Sequence, residues 1–113
     1  MHGIFKKDID EVEVDELKKI MDEYDNKTIV IDVRTPEEYI EEHVDGMVNF
    51  PLNSFMEHVN EICRHERVYI FCRSGSRSAD AASQLVAAGI TQAKNVRGGI
   101  IAWKANNYPT VIG

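Results

Sequence analysis

One cysteine of this chain occupies a position where a thiol could do chemistry. Cys72 directly follows the apolar run VYIF (68–71) and precedes a short loop of small and basic residues, RSGSR (73–77), after which the pattern becomes helical. A cysteine at the end of a strand is most often a small buried hydrophobe. A structural cysteine needs neither two arginines nor a glycine beside it, so we interpret Cys72 as a nucleophile.

The loop after Cys72 has the composition of an anion-binding site. Successive backbone N–H groups in a tight loop can converge on an anion, and the start of a helix adds unpaired N–H groups and a positive dipole end. Gly75 removes the steric penalty of positive φ, while Arg73 and Arg77 add charge. The loop therefore predicts a thiolate with an anionic substrate above it. The residues predicted to bind that substrate are Arg73, Ser74, Gly75, Ser76, Arg77 and Ser78.

Helix signals divide the chain at regular intervals. Asp15 is the predicted N-cap of a first helix, whose inner face would carry Leu17, Ile20, Met21 and Tyr24. Thr35, Pro36 and Glu38 have the spacing of a capping box at the start of a second helix, which Gly46 would end. Further helices are predicted at 53–63 (weakly), at 77–88 with Gly89 as its cap, and from Gly98 onward.

Strand signals alternate with these helices. A short strand precedes the first helix, and the others are TIVIDV (28–33), MVNF (47–50), RVYIF (67–71) and KNV (94–96). Strands separated by helices of this length predict an α/β fold in which a parallel sheet is covered on both faces.

In open α/β sheets, ligands bind outside the carboxyl ends of the strands, which is where Cys72 lies. Asp32 and Arg34 end another strand and could reach the same site. We assign them a supporting role, as an ion pair or as loop hydrogen bonds, because buried charges are usually paired. Among the other candidates, His43 is interpreted as a packing or capping residue, and Gly98–Gly99 as a tight turn bordering the site.

Length and composition limit the classes of function. The chain has 113 residues, which suits a single domain over 1–113, and its net charge of −6 argues against wholesale nucleic-acid binding. No apolar run has the length of a membrane span, and the acidic amino terminus does not have the pattern of a secretory signal. Two cysteines, Cys63 and Cys72, describe neither a disulfide framework nor a zinc site. We therefore expect a cytoplasmic protein without a membrane partner, in which Cys63 is inert.

Three motifs resemble those of the rhodanese homology domain. They are IDVRTPEEYIEEHVDGMVNFPL (31–52), CRSGSRS (72–78) and VRGGIIAWKANNYPTV (96–111), and in this order they cover most of the chain. The resemblance implies a rhodanese-like fold, in which helices flank a five-stranded parallel sheet. It also implies sulfur transfer through a cysteine persulfide, with no metal or organic cofactor. One departure is Glu42, before His43, where the family commonly has glycine.

The implied reaction takes sulfur from a small anionic donor such as thiosulfate. The Cys72 thiolate would attack the outer sulfur, sulfite would leave, and a thiophilic acceptor would then attack the persulfide. Cyanide is the usual laboratory acceptor, and a cellular thiol or a protein cysteine is the acceptor expected in the cell.

Three alternatives remain open at this point. A phosphatase or arsenate reductase also holds an anion in a cysteine–arginine loop, but the tyrosine-phosphatase pattern is Cys-x5-Arg, whereas here Arg77 gives Cys-x4-Arg. A non-catalytic binding module of the family typically lacks the cysteine. A persulfide carrier would share the chemistry of the enzyme and differ in its partner proteins.

Overall fold

The computed structural model describes residues 9–23 and 25–113 and contains a five-stranded sheet. Its strands are β1 (Glu11–Val12), β2 (Thr28–Asp32), β3 (Val48–Asn49), β4 (Arg67–Phe71) and β5 (Ala93–Val96). They are parallel, in the order β1-β5-β4-β2-β3. All carboxyl ends therefore meet at one edge of the sheet, as the sequence predicts.

The helices are α1 (Val14–Asp22), α2 (Pro36–Glu41), α3 (Val59–Ile62), α4 (Ser76–Ala87) and α5 (Gly99–Ala105). Apolar side chains of α3 and α4 pack on one face of β4, together with Val68 and Ile70. Those of α1 and α5 pack on the other face, with Tyr69 and Phe71. Helices thus cover both faces of the sheet, which confirms the predicted α/β architecture. Because side chains alternate along a strand, Cys72 continues the α4 face.

The start of α2 confirms the predicted capping box. The Thr35 hydroxyl accepts a hydrogen bond from the Glu38 N–H at 3.2 Å, and the Glu38 carboxylate accepts one from the Thr35 N–H at 3.0 Å. The predicted end at Gly46 is wrong, because α2 ends at Glu41 and Glu42 is already extended. Arg34 closes this helix end by donating to the Glu42 carbonyl at 2.7 Å.

Two other predictions about helices need correction. Asp15 is not an N-cap: α1 begins at Val14, after Glu13, and the Asp15 carboxylate accepts a hydrogen bond from the Tyr108 hydroxyl at 2.8 Å. The weak helix predicted over 53–63 is a 3-10 helix (Phe55–His58) followed by α3. Tyr24 and the amino-terminal residues 1–8, on which other predictions bear, lie outside the described residues. No helix within the described part of the chain is both long and apolar enough to cross a membrane.

Candidate active site

The candidate site is built around Cys72, at the carboxyl end of β4. The cysteine is 1% exposed, and its Sγ is 3.1 Å from the backbone nitrogen of Gly75 and 3.3 Å from that of Ser78. Both N–H groups donate to sulfur, and both belong to the turn that starts α4. The sulfur therefore faces backbone donors and the positive end of a helix, an environment that favours negative charge.

Two glycines permit this backbone path. Gly75, which precedes α4, has a φ of +101°, a value that residues with a side chain rarely adopt. At Gly99, a Cβ atom would lie 2.3 Å from the carbonyl oxygen of Cys72, so only glycine lets α5 approach so closely. The first turn of α5 then binds the loop, because Ile100 N–H donates to the Cys72 carbonyl at 2.9 Å and Ile101 N–H to the Arg73 carbonyl at 3.1 Å.

A buried polar chain lies behind the sulfur. Ser78, which we predicted to bind substrate, is fully buried, and its hydroxyl lies 3.2 Å from Sγ. The prediction is corrected, because Ser78 contacts the nucleophile from behind and has no access to a ligand at the mouth. The same hydroxyl donates to Asn95 Oδ1 at 2.6 Å. Sequence reasoning missed Asn95, although a polar residue inside the predicted buried strand KNV is a usable signal.

Arg77 does not project its charge freely into the site. Its guanidinium donates to both carboxylate oxygens of Glu38, at 2.7 and 3.0 Å. Hydrogen bonds from Arg77 are the main reason that the pKa of Glu38 falls from 4.5 to about 2, and Glu38 likewise raises the pKa of Arg77. The positive charge predicted for substrate binding is thus largely compensated, by a residue that the sequence places in the second helix.

Comparison with known families agrees with this geometry. The family model for the rhodanese-like domain matches residues 13–106, which includes the cysteine loop and both helices that contact it. The chain belongs to the rhodanese-like family.

Similar members carry names that refer to sulfur. A sulfurtransferase from Allochromatium vinosum is 35% identical over 74% of this chain and 78% of its own length. A chloroplastic thiosulfate sulfurtransferase from Arabidopsis thaliana is also 35% identical, over 71% of this chain and 77% of its own. A Bacillus subtilis relative named as a sulfur carrier protein is 34% identical, and this chain matches 51% of its length. These relatives place the chain with sulfurtransferases at the level of the family.

Comparison with solved structures also supports the family assignment. The crystal structure of a rhodanese-related protein from Thermoplasma volcanium superposes with a TM-score of 0.79 at 27% identity, over 92% of this chain and 99% of that one.

At the mouth of this rhodanese-like site, the structure leaves Arg73, Ser74 and Ser76 exposed. Arg73 makes no side-chain hydrogen bond or ion pair with any residue that the structure describes, so its charge is available to an anion. It lines a cleft of about 150 Å³ beside the loop, together with Arg34, Glu38, Glu41, Glu42, Ile100, Ile101 and Lys104. A larger cavity of about 530 Å³ lies against α1 and β2 and includes no residue of the cysteine loop.

Asp32 and Arg34 form the ion pair that we predicted. Three side-chain hydrogen bonds between guanidinium and carboxylate measure 2.8–3.1 Å, and both side chains are buried. Asn49 donates to the backbone carbonyls of both residues at 3.0 Å. The pair fixes the turn between β2 and α2, and so the position of Glu38 opposite Arg77. His43 packs as predicted, stacked on Tyr39 with 3.9 Å between ring centroids.

The described residues contain no group of three or more His, Cys, Asp or Glu side chains arranged to hold a metal ion. What the site offers is a sulfur nucleophile, backbone N–H donors directed at it, and the guanidinium of Arg73 at the rim. This set suits nucleophilic transfer of a group from a small anion.

Proposed function

We propose that the chain is a sulfurtransferase that moves a sulfane sulfur from an anionic donor such as thiosulfate to a thiophilic acceptor through a persulfide on Cys72. The observation that carries the proposal is the position of Sγ, which lies at the start of α4 with two backbone N–H donors within 3.3 Å. The names of the sulfurtransferase relatives support the same reaction.

The first half-reaction loads the enzyme. The Cys72 thiolate attacks the outer sulfur of thiosulfate, an S–S bond forms to Sγ, and the S–S bond within the donor breaks with its electron pair leaving on sulfite. The N–H groups of Gly75 and Ser78 stabilise the charge on the attacking sulfur before transfer. Arg73, exposed and unpaired among the described residues, is placed to hold the sulfonate end of the donor.

The second half-reaction removes the sulfur from the enzyme. An acceptor thiolate or cyanide attacks the terminal sulfur of the persulfide, and the Cys72 thiolate is regenerated. No net oxidation or reduction of the enzyme occurs over the cycle, so the two steps need no cofactor. Splitting one transfer into two through a covalent intermediate lowers each barrier.

Burial of the nucleophile supports a sulfur donor. Because Cys72 is 1% exposed, we expect a narrow reacting group, such as a single terminal atom, to reach Sγ most readily. The outer sulfur of thiosulfate is such an atom, whereas a phosphoryl group brings three oxygens around the atom under attack.

A persulfide carrier is the second candidate. The sulfur carrier relative from Bacillus subtilis favours it, since a carrier uses the same persulfide and differs in taking sulfur from a partner protein and passing it to another. The acceptor would then be a protein cysteine.

Intact-mass spectrometry tests the proposal. Incubation with thiosulfate should add the mass of one sulfur atom, and cyanide should remove it, in wild type and in Cys63→Ser but not in Cys72→Ser. Absence of the adduct from the folded wild type would contradict the proposal that the protein takes sulfur from thiosulfate. Loading by a cysteine desulfurase, in a protein that thiosulfate leaves unmodified, would instead establish the carrier.

A further inference from the structure

A line of hydrogen bonds connects the nucleophile to the far edge of the sheet. It runs from Cys72 through Ser78 and Asn95 to Glu11 on β1, the direct cross-strand neighbour of Asn95. The first three members are buried, with Ser78 at 0% and Asn95 at 2% exposure, and the Glu11 carboxylate reaches the surface.

The chemistry of the partners fixes the direction of each hydrogen bond. Asn95 Nδ2 contacts the Glu11 carboxylate at 2.8 Å and the Gly75 carbonyl at 3.2 Å, and both of these groups only accept. Asn95 Oδ1 must therefore face Ser78, whose single hydroxyl proton is donated to it. The Ser78 oxygen consequently turns a lone pair toward Sγ, and the Cys72 thiol donates to it across 3.2 Å.

This direction has a consequence for the sulfur. When the thiol proton leaves to solvent, the lone pair of Ser78 faces an anion unless the hydroxyl rotates from Asn95 to Sγ. Rotation leaves the buried Asn95 Oδ1 without a donor, which is unfavourable in the protein interior. Either arrangement makes the thiolate harder to form than the two N–H donors alone would make it.

We propose that Asn95 is a positioning residue that directs the Ser78 hydroxyl proton away from Sγ and thereby limits ionisation of the nucleophile at rest. The inference rests on the proposed function only in taking Cys72 as the reactive thiol. Glu11 supports the arrangement by holding the Asn95 amide, and the hydrogen bond from Asn95 is the main reason that the pKa of Glu11 is lowered.

Other charged groups lie in the loop or on the elements that adjoin it. They are Arg73 in the loop, Arg77 and Asp80 on α4, Glu38 on α2, Asp32 and Arg34 after β2, Glu11 on β1 and Arg97 after β5. Substitution of Asn95 removes none of these charges, and the Ser78→Ala background controls for the accompanying loss of the hydrogen bonds from Asn95 to Glu11 and to the Gly75 carbonyl.

The experiment measures the rate at which iodoacetamide alkylates Cys72 between pH 5 and pH 9, in a Cys63→Ser background that leaves one thiol. Asn95→Ala should raise the rate at pH 7 by roughly tenfold, the factor that corresponds to one buried acceptor deprived of its donor. It should also move the pH profile to lower pH without changing its upper plateau. This readout does not depend on sulfur transfer, so a failed persulfide assay would leave it interpretable.

Matched variants separate positioning from general disturbance. In a Ser78→Ala background, Asn95→Ala should change the rate by less than about twofold, because no hydroxyl remains to redirect. Glu11→Ala should act in the same direction as Asn95→Ala but more weakly, while Glu11→Gln, which keeps an acceptor for Asn95, should match wild type. If circular dichroism shows that Asn95→Ala does not fold, the two Glu11 variants provide the test instead. An unchanged or slower alkylation in the folded variants, or the same acceleration without Ser78, would overturn the proposal.

Discussion

In the sequence, one cysteine precedes strand β4 and the other follows it, and their surroundings are opposite. Cys63 is exposed at the carboxyl end of α3, and its thiol donates to the Asn60 carbonyl at 3.3 Å. Cys72 is buried at the amino end of α4, and its sulfur accepts from two backbone N–H groups. The surroundings of Cys63 thus present a carbonyl acceptor, whereas those of Cys72 present two backbone donors together with the Ser78 hydroxyl oxygen.

In the proposed function, the backbone around each cysteine decides which of the two is the nucleophile. The residue type is the same, and the exposed Cys63 is the more accessible of the two. A parallel strand with a helix after it brings N–H groups to the carboxyl end of the strand, whereas the end of a helix presents carbonyls. Accessibility alone would favour Cys63, whereas the backbone donors favour Cys72 as the nucleophile.

Substitution of each cysteine by serine should give the largest difference in sulfur-transfer rate between the two positions. Cys72→Ser should abolish sulfur transfer from thiosulfate to cyanide, because a serine hydroxyl forms no persulfide, while Cys63→Ser should keep the wild-type rate. Both variants should retain the wild-type circular dichroism spectrum. Wild-type turnover by Cys72→Ser would refute the assignment.

A change in loop size should have the next largest effect. Inserting one glycine between Ser74 and Gly75 moves the Gly75 N–H away from Sγ, and loss of one such donor costs about 10²–10³ in rate. Steady-state assays with thiosulfate and with an aryl phosphate measure both possible activities. Aryl phosphate hydrolysis by the wild type that exceeds its sulfur transfer would favour the phosphatase-like alternative instead.

The close approach of α5 predicts a smaller but site-specific effect. Gly99→Ala places a methyl group against the Cys72 and Arg73 carbonyls and should lower sulfur transfer by about tenfold or more, since displacement by an ångström can cost up to about 10². Gly89→Ala is the matched control. Gly89 also has positive φ, but a Cβ atom there would meet no neighbour within 4 Å, so the substitution shares the backbone strain without touching the loop. Equal losses of activity would show that strain, and not the contact, is responsible.

The smallest effect concerns the ion pair at the mouth. The pKa of Glu38 is lowered to about 2, so its pairing with Arg77 stabilises the fold above pH 4.5 and is lost as the pH falls toward 2. Glu38→Gln keeps the capping box and removes the charge. Urea unfolding should show a loss of about 1 kcal/mol at pH 7 that disappears near pH 2. A difference that stays constant with pH would contradict the electrostatic origin.

Local sequence patterns were sufficient to predict the fold and the position of Cys72 at the carboxyl end of a strand. The strands β2 and β4 are apolar on both faces, the Thr35–Glu38 spacing marks a helix start, and the glycine beside Cys72 marks a tight loop. What could not be predicted depends on contacts between distant residues. Glu38 meets Arg77 across 39 positions, a pairing that no local pattern contains.

The corrected positions have the same origin. Ser78 belongs to the loop motif by sequence, but the rotation of α4 turns its side chain inward, toward a strand. Asp15 has the right type for an N-cap, yet the helix starts two residues earlier than predicted, at Val14, and Asp15 pairs with the distant Tyr108. Tertiary contacts override local preference at these positions.

The hydrogen bonds from α5 to the cysteine loop also determine when, during synthesis of the chain, the loop can become fully ordered. Ile100 and Ile101 bind the carbonyls of Cys72 and Arg73, and they leave the ribosome after every strand of the sheet. Until then the loop lacks its second anchor, although the cysteine itself has already been made. A nascent chain therefore carries an unorganised thiol, and the nucleophile acquires its environment only as the last helix docks.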